Sequence, residues 1–250
     1  MAVEIHITKQ IKLTKPSLIE GFPGMRLVGT ISGSYLIDKL KMEMIGYLTS
    51  ENFPPLAAIH AHKPLYPARI YASKKYNLLV LISEFIVPIK AVYELSDAIY
   101  DFAKKKKVKQ IISLGAIVQK GDETKVFAVA SDAKILASLE KHKKVEMVKE
   151  GVTTGVTGVL LARGAIENFP VVSFLAQANE NYMDPHASAV VLEVLKDYLN
   201  LTSLDTGALE QEAKAVESKM KDMLSKTKET QEHYQKTATD SASTFGGMYG

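Results

Sequence analysis

The sequence predicts an α/β protein, a three-layer α/β/α domain followed by a helical extension. Three observations point there. Segments 78–83, 110–115 and 171–176 are predominantly apolar, as strands buried on both faces are. Between such segments run stretches with apolar residues at helical spacing, such as Val92, Leu95, Ile99 and Phe102. Strands that alternate with helices imply a mostly parallel sheet covered on both sides.

Composition narrows the function classes. The chain has 250 residues, 46% of them hydrophobic, enough for a real core. A net charge of +3 is too small to argue for a nucleic-acid partner. With no cysteine there is no disulfide, zinc–cysteine site or thiol nucleophile. The start, Met-Ala-Val-Glu-Ile-His, does not read as a signal peptide, and no apolar run reaches about 18 residues. The expectation is a soluble cytoplasmic protein with no membrane partner.

In chain order, residues 3–11 alternate, with Val3, Ile5 and Ile7 on one side, which reads as a half-buried strand. Segment 17–20 is a short strand ending in the turn Gly21-Phe22-Pro23-Gly24. Leu27, Val28, Ile31, Tyr35, Ile37 and Leu40 then mark a helix, with Gly29 and Gly33 giving it a flat packing face. Segments 43–49 and 57–61 read as strands, the second placing His60 and His62 on one face. Ile70 opens a further strand before 78–83. A helix over 89–107 ends in Lys104–Lys107, a phosphate patch or, more simply, a solvated helix end favoured by the macrodipole. Strands follow at 110–115 and 126–130. Ser131 or Asp132 caps a helix reaching Leu139, and 145–148 is extended again. After the strand at 171–176, Asp184-Pro185 signals a helix over 186–199.

Segment 151–164 is the most distinctive stretch, Gly-Val-Thr-Thr-Gly-Val-Thr-Gly-Val-Leu-Leu-Ala-Arg-Gly. It reads as the joint of a βαβ unit, with Thr157 capping the helix. Gly151, Thr153, Thr154, Gly155, Thr157 and Gly158 admit two readings. Free N–H groups at the helix start could hold an anion, or the glycines simply let the helix pack closely on the sheet. The spacing matches neither the dinucleotide fingerprint nor the Walker loop.

Composition changes near Ser203. We divide the chain into a domain over 1–202, a helical extension over 203–236 and a flexible tail over 237–250. Leu209, Ala213, Val216, Met220, Met223, Thr227, Thr230 and Tyr234 follow a four-three spacing, a heptad seam weak in its second half. The tail is small, polar and glycine-rich, and ends Met248-Tyr249-Gly250.

The run Glu20-Gly21-Phe22-Pro23-Gly24-Met25-Arg26-Leu27-Val28-Gly29, with Tyr35-Leu36-Ile37 and the 151–161 loop-helix, resembles the proteasome assembly chaperone family, in particular its archaeal members. The resemblance covers about residues 3–200. It implies a domain similar to nucleoside phosphorylases but without enzymatic activity or cofactor. It also implies a homo-oligomer, and binding to the α-ring of the proteasome core particle, or to related family proteins, through C-terminal hydrophobic-Tyr-any tails. Met248, Tyr249 and Gly250 match that tail residue by residue. Chance alone yields the pattern at roughly 2% of ends of this composition, so the tail reading leans on the resemblance.

Two function classes remain at this stage. The first is a non-enzymatic scaffold that presents several C-terminal anchors at once. The second is an enzyme on nucleosides or another phosphorylated ligand using the 151–158 loop, with His60 and His62 or the Asp184/His186 pair as acid, base or metal ligands. Arg26, Arg69 and Arg163 are the only arginines, a scarcity that disfavours an anion clamp. No third metal ligand follows from spacing, so we expect no metal site.

Overall fold

The computed structural model describes residues 3–24, 27–118, 125–140, 142–178 and 185–205, with residues 207, 218, 222, 225, 226 and 229 beyond them. Met25 and Arg26, Asp184, the heptad seam, and Met248, Tyr249 and Gly250 lie outside the described residues.

In chain order the elements are β1 (Glu4–Ile7), β2 (Ser17–Gly21), α1 (Val28–Lys39), β3 (Glu43–Thr49), β4 (Ala58–His60), β5 (Lys63–Leu65), β6 (Ala68–Ser73), β7 (Leu78–Ser83), α2 (Val92–Lys105), β8 (Gln110–Val118), β9 (Val126–Ala130), α3 (Ala133–Leu139), β10 (Val145–Met147), α4 (Gly155–Glu167), β11 (Val171–Ala178) and α5 (Pro185–Leu199). Among the described residues, nine strands form one sheet in the order β1-β3-β6-β7-β2-β8-β11-β9-β10, and β4 pairs with β5 apart from it.

Uniform apolarity in the central strands has the anticipated cause, since both faces are buried. Along β2, Leu18 enters one core and Ile19 the other, and neither is exposed to solvent. One core joins the sheet to α1, α3 and α5 through Leu36, Leu139, Val191 and Leu195. The second joins it to α2 and α4 through Leu95, Ile99 and Leu160. Each such side chain contributes about 1.5–3 kcal/mol by leaving water. The three-layer reading therefore holds.

The mostly parallel sheet does not. β7-β2, β2-β8, β8-β11 and β9-β10 are parallel, while β1-β3, β3-β6, β6-β7 and β11-β9 are antiparallel. The βαβ joint at 151–164 fails for the same reason. β10 lies at the sheet edge, β9 separates it from β11, and α4 carries the chain back toward the centre rather than over to a parallel neighbour. Side-chain periodicity reports which faces are buried and carries no strand direction.

Several local signals hold. Asp132 caps α3, its Oδ1 accepting from the N–H groups of Lys134 and Ile135 at 2.8 and 3.1 Å. The 89–107 helix is a one-turn 3-10 segment, Ile89–Ala91, followed by α2, which closes at Lys106 and the left-handed Lys107. Gly29 and Gly33 do form a packing face. A Cβ on Gly29 would stand 2.4 Å from the Leu114 carbonyl oxygen, and one on Gly21 would stand 2.7 Å from the Gly29 oxygen. Helix α1 thus rests backbone-to-backbone on β2 and β8.

That contact makes a prediction. Gly29→Ala has backbone rather than a movable side chain in its way and should cost about 1–3 kcal/mol or more. Gly24→Ala, whose Cβ meets nothing nearer than 4.0 Å, should stay within about 0.5 kcal/mol. Urea unfolding of the two variants checks the difference; equal midpoints would show that the close seat of α1 is not a constraint.

Candidate functional site

The 151–158 loop arrives from the sheet edge and opens α4. Thr154 is the N-cap in extended conformation, with no side-chain cap bond, and Gly155 follows with φ of +70°. A left-handed first residue favours glycine. Gly158 is required for a different reason. A Cβ there would lie 2.3 Å from the carbonyl oxygen of Thr153, because the loop folds against the first helical turn. Thr157 does not cap the helix as expected. It sits one turn inside, and its hydroxyl is turned to another partner.

That partner is Glu20, at the end of β2 and only 3% exposed. Its Oε2 accepts from Ser113 Oγ of β8 at 2.6 Å and from Thr157 Oγ1 at 3.2 Å, while its Oε1 accepts the Phe22 N–H at 2.9 Å. Ser113 and Thr157 are 2.6 Å apart. One carboxyl group therefore ties β2, β8, α4 and the Phe22 turn together. Burial raises its pKa, against the opposing pull of the bonds from Ser113, Phe22 and Thr157. Above it opens a cavity of about 460 Å³, lined by Thr153, Thr154, Thr157, Leu114, Gly115 and Leu175 among others. A phosphate at the α4 start would share this space with the Glu20 carboxyl.

A wider groove of about 950 Å³ lies beside this cavity, between α2 and α4. Ile89, Tyr93, Val159, Ala162 and Ile166 make it apolar. Arg163 fastens its two walls, reaching Asp97 at 2.5 Å and Asp101 at 3.6 Å on α2 and Glu167 at 2.7 Å on its own helix. Its guanidinium lies 4.1 Å over the Tyr100 ring. Glu167 also takes Lys104 at 2.6 Å, and the bonds from Arg163 and Lys104 bring its carboxyl down to about 2. The first lysine of the 104–107 run is thus committed to a carboxylate.

The remaining polar candidates divide differently from expectation. His60 and His62 do not share a strand face. Ala61 and His62, both at positive φ, form the two-residue turn between β4 and β5, the conformation that suits a hairpin twist. His60 Nε2 lies 2.7 Å from Glu84 Oε1. Arg69, 2% exposed, bonds both Glu84 oxygens, the Tyr66 carbonyl at 2.9 Å and the Tyr71 hydroxyl at 3.0 Å. His186 lies in the first turn of α5 and is exposed. Among the described residues no cluster of three or more His, Cys, Asp or Glu could hold a metal ion, and no helix is long and apolar enough to cross a membrane.

Glu20 was not among the residues singled out for chemistry. Its signal was there, a lone carboxylate in the apolar strand Ser-Leu-Ile-Glu-Gly, where an acid is rarely buried without partners. A stability test follows. Below about pH 4.3, the ordinary unfolded value, the network contributes in full; the contribution is lost as pH rises toward the raised folded value. Glu20→Gln keeps the shape and can donate to the two hydroxyls, which rotate to accept. Its unfolding free energy relative to wild type should rise with pH from about 4.3 upward. Parallel pH profiles would contradict a raised Glu20.

Comparison with known proteins agrees with this architecture. The family model described as PAC2 family matches residues 18–224. An uncharacterized protein of Methanocaldococcus jannaschii is 32% identical over 214 residues, 86% of this chain and 87% of the relative. Pyrococcus furiosus PbaA, described as an archaeal homolog of proteasome-assembly chaperone, superposes with a TM-score of 0.81 at 28% identity, covering 92% of this chain and 99% of PbaA. A protein of unknown function from Thermoplasma acidophilum gives a TM-score of 0.81 at 26% identity, covering 89% and 91%. The likeness to nucleoside phosphorylases rests on the sequence resemblance alone. A family match over 18–224 and a relative of this identity and coverage are sufficient together: the chain belongs to the PAC2 family.

Proposed function

We propose that this chain is a non-enzymatic, cytoplasmic assembly protein of the proteasome-chaperone type. The domain over 1–202 forms a closed homo-oligomer. The extension over 203–236 projects from it as a helix, and the 237–250 tail tethers Met248, Tyr249 and Gly250, which dock on the α-ring of the proteasome core particle. The observation that carries this reading is the near full-length likeness to PbaA, described as an archaeal homolog of proteasome-assembly chaperone. The hydrophobic-Tyr-any pattern at 248–250 supports it from the sequence.

Physical arguments favour each part. A three-residue anchor binds weakly alone, but several on one scaffold bind through effective concentration. A tyrosine offers large amphipathic contact at low entropy cost. Small polar residues over 237–247 suit a tether that absorbs symmetry mismatch. The non-enzymatic reading is supported by where the polar groups are spent. Glu20 is bound into the fold, and Arg69 and Arg163, which an anion clamp would use, are engaged by carboxylates.

The test is direct binding to a purified proteasome core particle. Tyr249→Ala should weaken binding more than tenfold, and so should one residue added after Gly250, with folding unchanged. Undiminished capture by both variants would move the docking surface to the domain. Turnover of any member of a nucleoside library at the 151–158 cavity would favour the enzyme reading instead.

A further inference from the structure

Large apolar side chains exposed on the described surface cluster in two places. One is the α2–α4 side with the loop leading into it, where Ile89 is 87% exposed, Tyr93 71% and Ile166 82%. The other is the β4–β5 hairpin, where Ile59 is 63% exposed and Tyr66 follows at its base. Ile59 stands opposite Pro64 in the hairpin register, so the two make one apolar knob. Lone exposed apolar residues need no account, but clustered ones mark an interaction surface.

Knob and groove sit on opposite faces of the sheet. In β6, Ala68, Ile70 and Ala72 point into the core under α2 and α4. Arg69, between them in the strand alternation, points the other way, and there it holds the hairpin through the Tyr66 carbonyl and through Glu84, which His60 also meets. Arg69 thus anchors the hairpin on the face of the sheet turned away from α2 and α4. The hairpin's charges also fit the groove rather than a repeat of itself. Residues 58–65 carry one cation, Lys63, and no carboxylate. Among the described residues, the charges at the groove are Asp97, Asp101 and Glu167 against Arg163 and Lys104, three carboxylates to two cations.

We propose that the β4–β5 hairpin of one copy inserts into the α2–α4 groove of the next, head to tail. This deepens the oligomer stated above and rests on it. One chain carries both halves of the contact, apolar knob to apolar groove and basic tip to acidic rim. A heterologous contact of this kind repeats around a ring when its rotation closes. It leaves the opposite end of each copy, where Leu201 and Leu204 enter the core beside α1 and α5, outside the contact.

Complementation tests it. Ile59→Asp spoils the knob, and Ile89→Asp with Ile166→Asp spoils the groove; all three positions are exposed, so each variant should remain folded by circular dichroism. Light scattering should find an oligomer for the parent and monomers for each variant alone. An equimolar mixture retains one good knob and one good groove, and should give a one-to-one heterodimer by native mass spectrometry with one partner isotope-labelled. A monomeric parent overturns the oligomer itself. A parent oligomer that survives both sets of substitutions overturns this contact and leaves the oligomer standing. Monomeric variants that fail to pair show that hairpin and groove serve separate interfaces, and overturn it as well.

Discussion

The buried carboxyl of Glu20 is the interaction on which the arrangement of the site depends. Three hydrogen bonds converge on it, from β8, from α4 and from the turn that leads into α1. An acid taken out of water costs several kcal/mol unless neutralised or well bonded. Here bonding and a raised pKa act together. The consequence is geometric, because the 151–158 loop cannot shift without breaking the Thr157 bond to Glu20, and the β2–α1 turn cannot shift without breaking the Phe22 bond. A glycine-rich helix start that resembles a ligand cradle is in this way held as a strut.

Close backbone approach provides the second constraint. Gly21 and Gly29 remove the side chains that would hold α1 off β2 and β8, and Gly158 does the same for Thr153 against α4. With a Cβ in those places α1 could not lie this near the sheet, nor the 151–158 loop this near α4. The two constraints meet at β2, whose Gly21 touches α1 while its neighbour Glu20 reaches α4. One five-residue strand thereby positions the helices on both faces.

Much of this was legible in the sequence, and the misses have physical reasons. Apolar runs at 78–83 and 171–176 revealed strands buried on both sides because burial is written in every position. Asp132 and the glycine pair of α1 were readable because caps and close contacts each demand a residue type. Strand direction was not, since an antiparallel β9 carries the same apolar pattern as a parallel one. Thr154 and Thr157 could not be ranked as caps by type, because the left-handed Gly155 that settles the helix start leaves no mark beyond being glycine. The turn at Ala61 and His62 escaped because neither residue is among those that advertise positive φ. The hydroxyl partners of Glu20 come from positions 113 and 157, a long-range convergence that no local pattern encodes.

We propose that the polar groups beneath the loop serve the fold and that partners are met at other surfaces and at the 248–250 anchor. The most direct test is a side-chain carboxyl titration by carbon-13 NMR of protein labelled at glutamate, with Glu20→Gln used to assign the resonance. The Glu20 carboxyl should titrate well above the ordinary range of about 4.3, and its resonance should not respond to inorganic phosphate or nucleosides. A Glu20 that titrates in the ordinary range, or that shifts on adding either compound, would make the cavity a solvated ligand site and contradict the account.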